Sequence, residues 1–281
     1  MGYCLKYASG ALFMALICSS PAWALGTMPD KPQNVSVRLG AEFASGNYGT
    51  DSTTRSIYLP LVATWSLNER LDAGIEVPFV YQSSSNVTTG LYRNTRAATL
   101  AKTAARGGPG YVGGSGGEQS SVYGLGDVIL RLGAIAVFEG ERTPQLRPSL
   151  LVKCPTADSS KALGTGEFDV GAGIDASKWF GDTLLTGEAF YTYQGKGDGL
   201  GLKNYFSFTT GVGYQLTEKV HPMLVVKGAT APSTYSGALL EARARLLWSL
   251  TGTTSLDLFV SRGIADSSPE YGVGIAAIYS F

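Results

Sequence analysis

Apolar and polar residues alternate with a period of two along most of the chain. The clearest apolar series is Tyr271, Val273, Ile275, Ala277, Tyr279 and Phe281, and it alternates with Gly272, Gly274, Ala276 and Ser280. Successive side chains of a β-strand point to opposite faces of its sheet. The alternation therefore predicts an all-β protein in which each strand has one apolar face and one face that carries polar or charged residues.

The lengths of the alternating segments favour a membrane barrel over a soluble sandwich. Strands of soluble sheets usually have about 5 to 6 residues, whereas these segments reach about 10 to 14, enough to cross a bilayer at a tilt of about 45°. An even strand number is typical of bacterial single-chain barrels. We predict about twelve strands, near residues 34–46, 55–66, 70–83, 122–137, 145–155, 167–179, 184–194, 204–216, 220–229, 238–250, 254–264 and 271–281.

Short and longer connections alternate between these segments, as in outer-membrane barrels with short periplasmic turns and longer outer loops. The longest connection covers residues 84–121, and both termini fall on the side of the short turns. The fold class is therefore predicted to be a transmembrane antiparallel up-and-down β-barrel with periplasmic termini and a long extracellular loop at 84–121.

Residues 1–24 are built like a cleaved signal peptide. Lys6 supplies the positive charge, residues 11–18 are apolar, and Ala22-Trp23-Ala24 is a small-x-small cleavage site. A retained anchor would need roughly 20 apolar residues, more than this segment contains. We predict cleavage after Ala24, export to the outer membrane, and a barrel domain at residues 25–281.

The composition agrees with an exported membrane protein. Only 16% of the residues are charged, below the roughly 25% of soluble domains, and aromatic residues reach 11%. Cleavage would leave Cys154 as the single cysteine, so no intramolecular disulfide is expected. The net charge is near zero, so a nucleic-acid partner is not predicted. The expected surroundings are outer-membrane lipid and lipopolysaccharide.

The alternate, polar positions are predicted to project into the barrel lumen. Charged groups facing hydrocarbon are costly, whereas charged groups inside can pair with one another or line a polar pathway. Pairing inside the barrel and lining of a pathway both stay open as alternatives. Because the charged residues are of both signs, a strongly anion- or cation-selective pore is not expected. The candidate lumen residues are Arg38, Glu42, Arg70, Asp72, Glu76, Asp127, Arg131, Arg147, Lys153, Asp169, Asp175, Glu188, Lys227, Glu241, Arg243 and Arg245.

The long loop at 84–121 has a basic first half and a second half, Gly107–Gly117, that is too rich in glycine for regular structure. Loops of this length are usually functional or disordered. This loop could fold inward as a constriction, rest on the acidic sugars of the outer leaflet, or be disordered. The segment Arg93–Gly117 is the candidate gate of the outer mouth, with basic residues at Arg93, Arg96, Lys102 and Arg106.

Catalysis and metal binding are not predicted. The one histidine, His221, stands near the predicted periplasmic rim without a nucleophile or an acidic partner at suitable spacing. His221 and Cys154 do not form a metal-ligand pattern, and no cofactor motif is present. A barrel-embedded lipid hydrolase is therefore the least favoured class, and a non-conducting structural or adhesive barrel is the main alternative to a channel.

The end of the chain, Ala277–Phe281, resembles the signal recognised by the outer-membrane barrel assembly machinery. That signal is a terminal Phe with aromatic or apolar residues at alternate positions before it, here Phe281 and Tyr279. The resemblance implies that the assembly machinery is a partner of this chain.

A second resemblance covers roughly residues 30–281. Gly124-Leu125-Gly126-Asp127, Val152–Thr156, Leu163-Gly164-Thr165-Gly166 and Ser261–Tyr271 occur in this order, and the set is similar to the outer-membrane transporter family named for the MetA pathway of phenol degradation. Cys154 departs from the family pattern, which commonly reads Lys-Leu-Pro-Thr. The resemblance implies a channel for small solutes, loosely associated with hydrophobic or aromatic compounds.

Overall fold

A computed structural model of the chain describes residues 34–48, 53–83, 121–161, 163–196, 201–234 and 236–281. The predicted signal peptide and the basic residues of the candidate loop gate, Arg93, Arg96, Lys102 and Arg106, lie outside the described residues. The strands are β1 (Val35–Gly46), β2 (Thr54–Ser66), β3 (Leu71–Gln82), β4 (Val122–Leu125), β5 (Val128–Ala134), β6 (Gln145–Cys154), β7 (Asp169–Phe180), β8 (Thr183–Gln194), β9 (Tyr205–Tyr214), β10 (Val220–Ala229), β11 (Leu239–Ser249), β12 (Thr254–Gly263) and β13 (Tyr271–Ser280).

The strands form one antiparallel sheet that closes on itself. Apart from β4 and β5, strands that follow one another in sequence pair with each other, and β1 also pairs with β13, with Ser36 opposite Ser280. Because β4 and β5 both pair with β3, they are two parts of one barrel strand, and the barrel has twelve strands in cross-section. The prediction of a closed antiparallel barrel with twelve strands is confirmed.

One predicted strand, 122–137, is broken where β4 ends and β5 begins. Gly126 and Asp127 lie between the two parts, and the Gly126 N–H donates to the Pro78 carbonyl at 2.8 Å. Gly124 has a φ of 155°, a value that residues with a side chain seldom adopt. The interruption turns the Asp127 side chain away from the regular ladder and into the barrel mouth.

The two faces of the barrel wall differ as the alternation predicts. Large apolar side chains point outward and are exposed, including Leu39 at 60% and Val260 at 57%. Polar side chains at the alternate positions point inward and are buried, including Lys153 at 1%. Such a wall suits an apolar medium outside and a polar interior. Within the described residues, no helix is long and apolar enough to cross a membrane.

Three of the short turns share a local motif. Leucine precedes Asn68, Thr217 and Thr251, whose side-chain oxygens accept the N–H of the residue three positions later at 2.9, 3.0 and 3.0 Å. In each turn the leucine N–H donates to the carbonyl that opens the next strand. Asn and Thr favour such turns because their side chains replace backbone partners. We call this end of the barrel the turn end and the opposite one the loop end.

Candidate functional site

The barrel interior contains all but one of the predicted lumen residues. Arg70 is the exception, because it precedes β3 and is exposed at the turn end. Its guanidinium donates to the Ile135 carbonyl at 3.1 Å and lies 4.5 Å from the centre of the Phe138 ring. Arg70 therefore belongs to the rim of the barrel and not to its lining.

A first charged cluster surrounds Arg147 on β6. Its guanidinium contacts the Asp72 carboxylate of β3 at 2.5 Å and the Asp175 carboxylate of β7 at 2.8 Å. Arg147 stands directly opposite Asp175 in the β6–β7 ladder and covers Gly133, where a Cβ would be 2.0 Å from the guanidinium. A planar guanidinium can engage two carboxylates at once, so Arg147 ties three strands together from inside.

A second cluster surrounds Asp257 on β12, a lumen residue that the sequence analysis missed. Its carboxylate forms salt bridges with the guanidinium groups of Arg38 on β1 at 2.7 Å and Arg245 on β11 at 2.6 Å. Only 1% of the Asp257 side chain is exposed. The alternation in Ser255, Asp257 and Phe259 carries the signal that would have identified it.

A third cluster lies at the loop end and is centred on Lys153. The Lys153 Nζ is 2.8 Å from Asp169, 3.3 Å from Asp127 and 2.7 Å from the Thr165 hydroxyl. Lys153 and both carboxylates are 5% exposed or less. Burial makes an unpaired charge costly, so the three groups depend on one another.

The Lys153 cluster holds the loop between β6 and β7 inside the mouth of the barrel. The Ala157 N–H donates to Asp127 at 3.1 Å, and Leu163 packs with Ala157 against the inward side chains Tyr58 and Val80. At Gly164 a Cβ would lie 2.6 Å from the Asp127 carboxylate, so a larger residue does not fit there. This loop constricts the loop end from within.

At the exposed tip of the same loop, Asp158 is bonded locally. The Ser160 hydroxyl donates to its carboxylate and lowers the pKa of Asp158, and Lys161 contributes from 3.3 Å. The tip is solvated, in contrast to the buried Lys153 cluster.

Three of the sequence motifs therefore meet at one place. Gly126 and Asp127 interrupt the strand between β4 and β5, and Lys153 and Thr156 contact this interruption. The segment Leu163–Thr165 packs against it from inside the barrel. Thr156 joins the two sides directly, because its hydroxyl accepts the Val128 N–H at 2.9 Å and donates to the Gly126 carbonyl at 3.2 Å. The order of these motifs in the chain reflects a single structural unit.

The fourth motif, Ser261–Tyr271, covers the mouth from another side. The Ser268 hydroxyl accepts the Leu240 N–H at 2.8 Å, and the Ser267 hydroxyl accepts the Gly237 N–H at 2.9 Å. Pro269 lines a small cavity with Glu42, Glu241, Arg243 and Phe259. The cavity has a volume of about 10 Å³, which is enough for about one water molecule.

Flat side chains line the middle of the lumen. The Phe259 ring covers Gly274, where a Cβ would be 2.2 Å from the ring, and the Arg243 guanidinium lies 4.3 Å from the centre of that ring. Arg243 also pairs with Glu241 on the same strand. Because glycine has no side chain, the ring can lie against the wall and leave the centre of the barrel less occupied.

Glu76 adds a further contact between the β2, β3 and β5 walls. The Tyr58 hydroxyl donates to Glu76 at 2.5 Å, and Arg131 approaches the other carboxylate oxygen at 4.0 Å. Glu188 and Lys227 occupy inward positions on β8 and β10, where Glu188 stands opposite Asp175 and Lys227 opposite Glu241.

Apolar residues also occupy part of the lumen, which the sequence analysis did not predict. Near the turn end, an inward cluster is packed against Trp179 and consists of Leu184, Met223, Val225, Leu247 and Ile278. A second inward group, halfway along the wall, consists of Ile129, Leu151 and Phe190. The interior therefore alternates between charged and apolar zones.

The remaining chemistry-bearing residues do not assemble a reactive site in the described part of the chain. His221 is buried at the second position of β10, next to the turn end. Cys154 is a free thiol at the end of β6. Among the described residues no group of three or more His, Cys, Asp or Glu side chains could hold a metal ion.

The barrel is similar to many solved structures, among them a channel and a porin. The first is an outer-membrane channel from Pseudomonas putida F1, with a TM-score of 0.65 and 12% identity over 92% of this chain and 98% of that one. The second is the NanC porin, with a TM-score of 0.52 and 10% identity over 88% of this chain and 99% of that one. At these identities the likeness establishes the fold. No protein-family model and no curated protein sequence matches the chain.

Proposed function

We propose that this protein is an outer-membrane channel for small solutes. The observation that carries the proposal is the contrast between the two faces of a closed wall, since apolar side chains cover the outside while charged networks line the inside. Water-filled barrels of the outer membrane are built on this principle. The turn end then faces the periplasm, and the loop end faces the outside of the cell.

The charges of the lumen support conduction with little selectivity. The inward cationic residues are Arg38, Arg131, Arg147, Lys153, Lys227, Arg243 and Arg245. The inward anionic residues are Glu42, Asp72, Glu76, Asp127, Asp169, Asp175, Glu188, Glu241 and Asp257. Anionic residues are slightly in excess among the described residues, so we expect a weak preference for cations.

The solutes that we propose are small hydrophobic or aromatic compounds. The resemblance to the family named for the MetA pathway implies this class. The apolar zones around Phe190 and Leu184 give it physical support, because they alternate with the charged clusters along the lumen and could receive an apolar group. A solute with an apolar body and a polar substituent would find partners for both.

The surroundings of the barrel follow from the same proposal. Outer-membrane lipid would cover the apolar outer face, and lipopolysaccharide would surround the loop end. The Tyr279 and Phe281 rings, 4.8 Å apart and edge-on, lie exposed at the end of the closing strand. We propose this pair as the element that the barrel assembly machinery recognises.

Single-channel recording and liposome swelling test the proposed function. The refolded protein should give discrete current steps in planar bilayers, and proteoliposomes should admit small aromatic solutes faster than sugars of similar mass. The control is the same protein unfolded by heat before reconstitution. A correctly folded barrel that gives neither steps nor swelling would identify the non-conducting adhesive barrel instead.

A further inference from the structure

Two arginines stand on the outer face of the barrel wall at the loop end. Arg55 lies near the start of β2, two residues before the exposed Ile57. Arg262 lies near the end of β12, two residues after the exposed Val260. Both arginines are themselves exposed. Because every second residue of a strand points to the same face, both guanidinium groups point away from the lumen.

The two arginines belong to one row that crosses four adjacent strands in the order β2, β1, β13 and β12. Ser45 stands opposite both Arg55 and Tyr271. Tyr271 in turn stands opposite Arg262. Neighbouring strands are about 4.8 Å apart, so the backbones of the two arginines are separated by roughly 14 Å. Their long side chains can therefore contact the same large headgroup from two sides.

This row marks the edge of the apolar band on the outer face. The next outward residues toward the turn end, on the same four strands, are all apolar, namely Ile57, Phe43, Val273 and Val260. Trp65, near the other end of β2, follows Arg55 by ten residues. At about 3.4 Å per residue and a tilt of about 40°, these ten residues span roughly 26 Å, close to the band of about 25 Å in outer-membrane barrels. The arginine row therefore lies at the membrane interface.

Neither arginine has an anionic partner in the described part of the chain. The side chains of Arg55 and Arg262 form no ion pair and no hydrogen bond with another described residue. The exposed Glu270, at the end of the β12–β13 loop, pairs with neither of them. At the turn end, by contrast, the outward Lys178 pairs with Glu139 at 3.1 Å. Among the described strand residues no outward position carries Asp or Glu, so the positive charge at the loop end is not compensated on this face.

We propose that Arg55 and Arg262 bind the phosphate groups of lipopolysaccharide, the glycolipid of the outer leaflet. A guanidinium presents paired N–H donors that match the geometry of a phosphate. These phosphates are attached to the sugars that carry the acyl chains, so they lie at the level of the arginine row. Tyr271, between the two arginines, adds an amphipathic ring of the kind that is favoured at this level. The site rests on the proposed orientation, in which the loop end faces outside, and not on conduction through the lumen.

Lipid binding in detergent tests the site. The refolded protein is titrated with purified lipid A, with lipid A from which the phosphates have been removed, and with phosphatidylglycerol, and native mass spectrometry counts the bound lipid. The variants are Arg55→Gln, Arg262→Gln and the double variant. Arg142→Gln is the matched control, because Arg142 is exposed in the connection between β5 and β6 at the turn end. Each variant is first checked for the heat-sensitive gel shift of a folded barrel.

The unaltered protein should bind lipid A at least about tenfold more tightly than the double variant, because each substitution removes charge-assisted hydrogen bonds. Arg142→Gln should bind like the unaltered protein. Equal binding by the double variant, or equal binding of lipid A with and without its phosphates, would overturn the site. Binding of phosphatidylglycerol as tight as that of lipid A would also overturn it, since the site would then not select the glycolipid. The comparison of lipids needs no variant, so it decides the matter even if a variant does not fold.

Labelling of whole cells and current recording separate this site from the proposed function. Lys161→Cys in a Cys154→Ser background places a thiol at the exposed tip of a loop at the loop end, and a membrane-impermeant maleimide should label it on intact cells. Absence of labelling would reject the orientation and the site together. Labelling of a protein that does not bind lipid A would reject the site alone. A protein that binds lipid A and gives no current steps would keep the site and reject the channel.

Discussion

Lys153 and Asp169 stand opposite each other in the β6–β7 ladder, with the Lys153 Nζ 2.8 Å from the Asp169 carboxylate and 1% or less of either side chain exposed. Asp127 shares the same ammonium group from the broken strand. One lysine therefore pairs with two buried carboxylates that belong to different parts of the wall, and it holds the inward loop between them.

We expect Lys153→Met to destabilise the barrel, because two buried carboxylates lose their counter-charge. Breaking a buried pair typically costs about 3–5 kcal/mol. The measurement is the denaturant midpoint of the protein in detergent. Lys161→Met is the matched control, because its ion pair with Asp158 is exposed at the tip of the same loop. A midpoint for Lys153→Met as high as that of the control would contradict the role of Lys153.

Gly164→Ala should expel the inward loop from the barrel mouth. The new Cβ would lie 2.6 Å from the Asp127 carboxylate and 2.7 Å from the Ala157 Cβ, and overpacking of this kind costs about 1–3 kcal/mol. Limited proteolysis at Lys161 should become faster. Gly187→Ala is the control, because an added Cβ there meets nothing within 4 Å. Unchanged cleavage would show that the loop tolerates the methyl group in place.

Gly274→Ala should push the Phe259 ring off the wall and into the lumen. The added Cβ would be 2.2 Å from the ring, and the ring has space only toward the centre of the barrel. Single-channel conductance should therefore fall. The double variant Gly274→Ala with Phe259→Ala should recover at least the original conductance. A conductance equally low in the double variant would mean that the ring is not responsible.

Asp257→Asn should move ion selectivity toward anions. The substitution removes one negative charge from the lumen and leaves Arg38 and Arg245 without their shared carboxylate. The reversal potential in a KCl gradient measures the effect. Arg245→Gln removes a positive charge from the same cluster and should shift the potential in the opposite direction. Two shifts of the same sign would show that the cluster does not face the ion path.

The two faces of one strand should respond differently to a new charge. Val260 points outward and is 57% exposed, whereas its neighbour Ser261 faces the lumen. Val260→Lys should cost on the order of 2 kcal/mol in lipid vesicles, since a cation on the lipid face is destabilising. Ser261→Lys should cost less, because the ammonium group can reach the mouth. Equal costs, measured by urea unfolding in vesicles, would argue against a lipid-facing outer surface.

Much of the fold could be predicted from the sequence, because a strand that separates two media repeats its pattern every second residue. The prediction of a strand at 271–281 matches β13 at Tyr271–Ser280, and the charged residues of β11 face inward as the pattern indicates. Arg70 lies two residues before Asp72 and would share its face in a continuous strand, but the alternation alone does not show where a strand begins. The rim position of Arg70 therefore required the structure.

Tertiary contacts account for the other differences. The break at Asp127 depends on contacts with Ala157 and Lys153, which lie about 30 residues later in the chain. The alternation within one segment cannot predict such contacts. The inward leucine at 184 and methionine at 223 were missed because alternation assigns apolar residues to the lipid face. The family name implied by the motifs stays a prediction.

The pairing of β1 with β13 has a consequence for how the protein is made. Ten residue pairs, from Ser36 with Ser280 to Ser45 with Tyr271, join the first strand to the last. Until the final strand arrives, β1 and β12 are open edges that can recruit strands from other chains. The wall therefore closes only when the last strand of the chain meets the first, so neither edge is covered before the whole barrel sequence has been made.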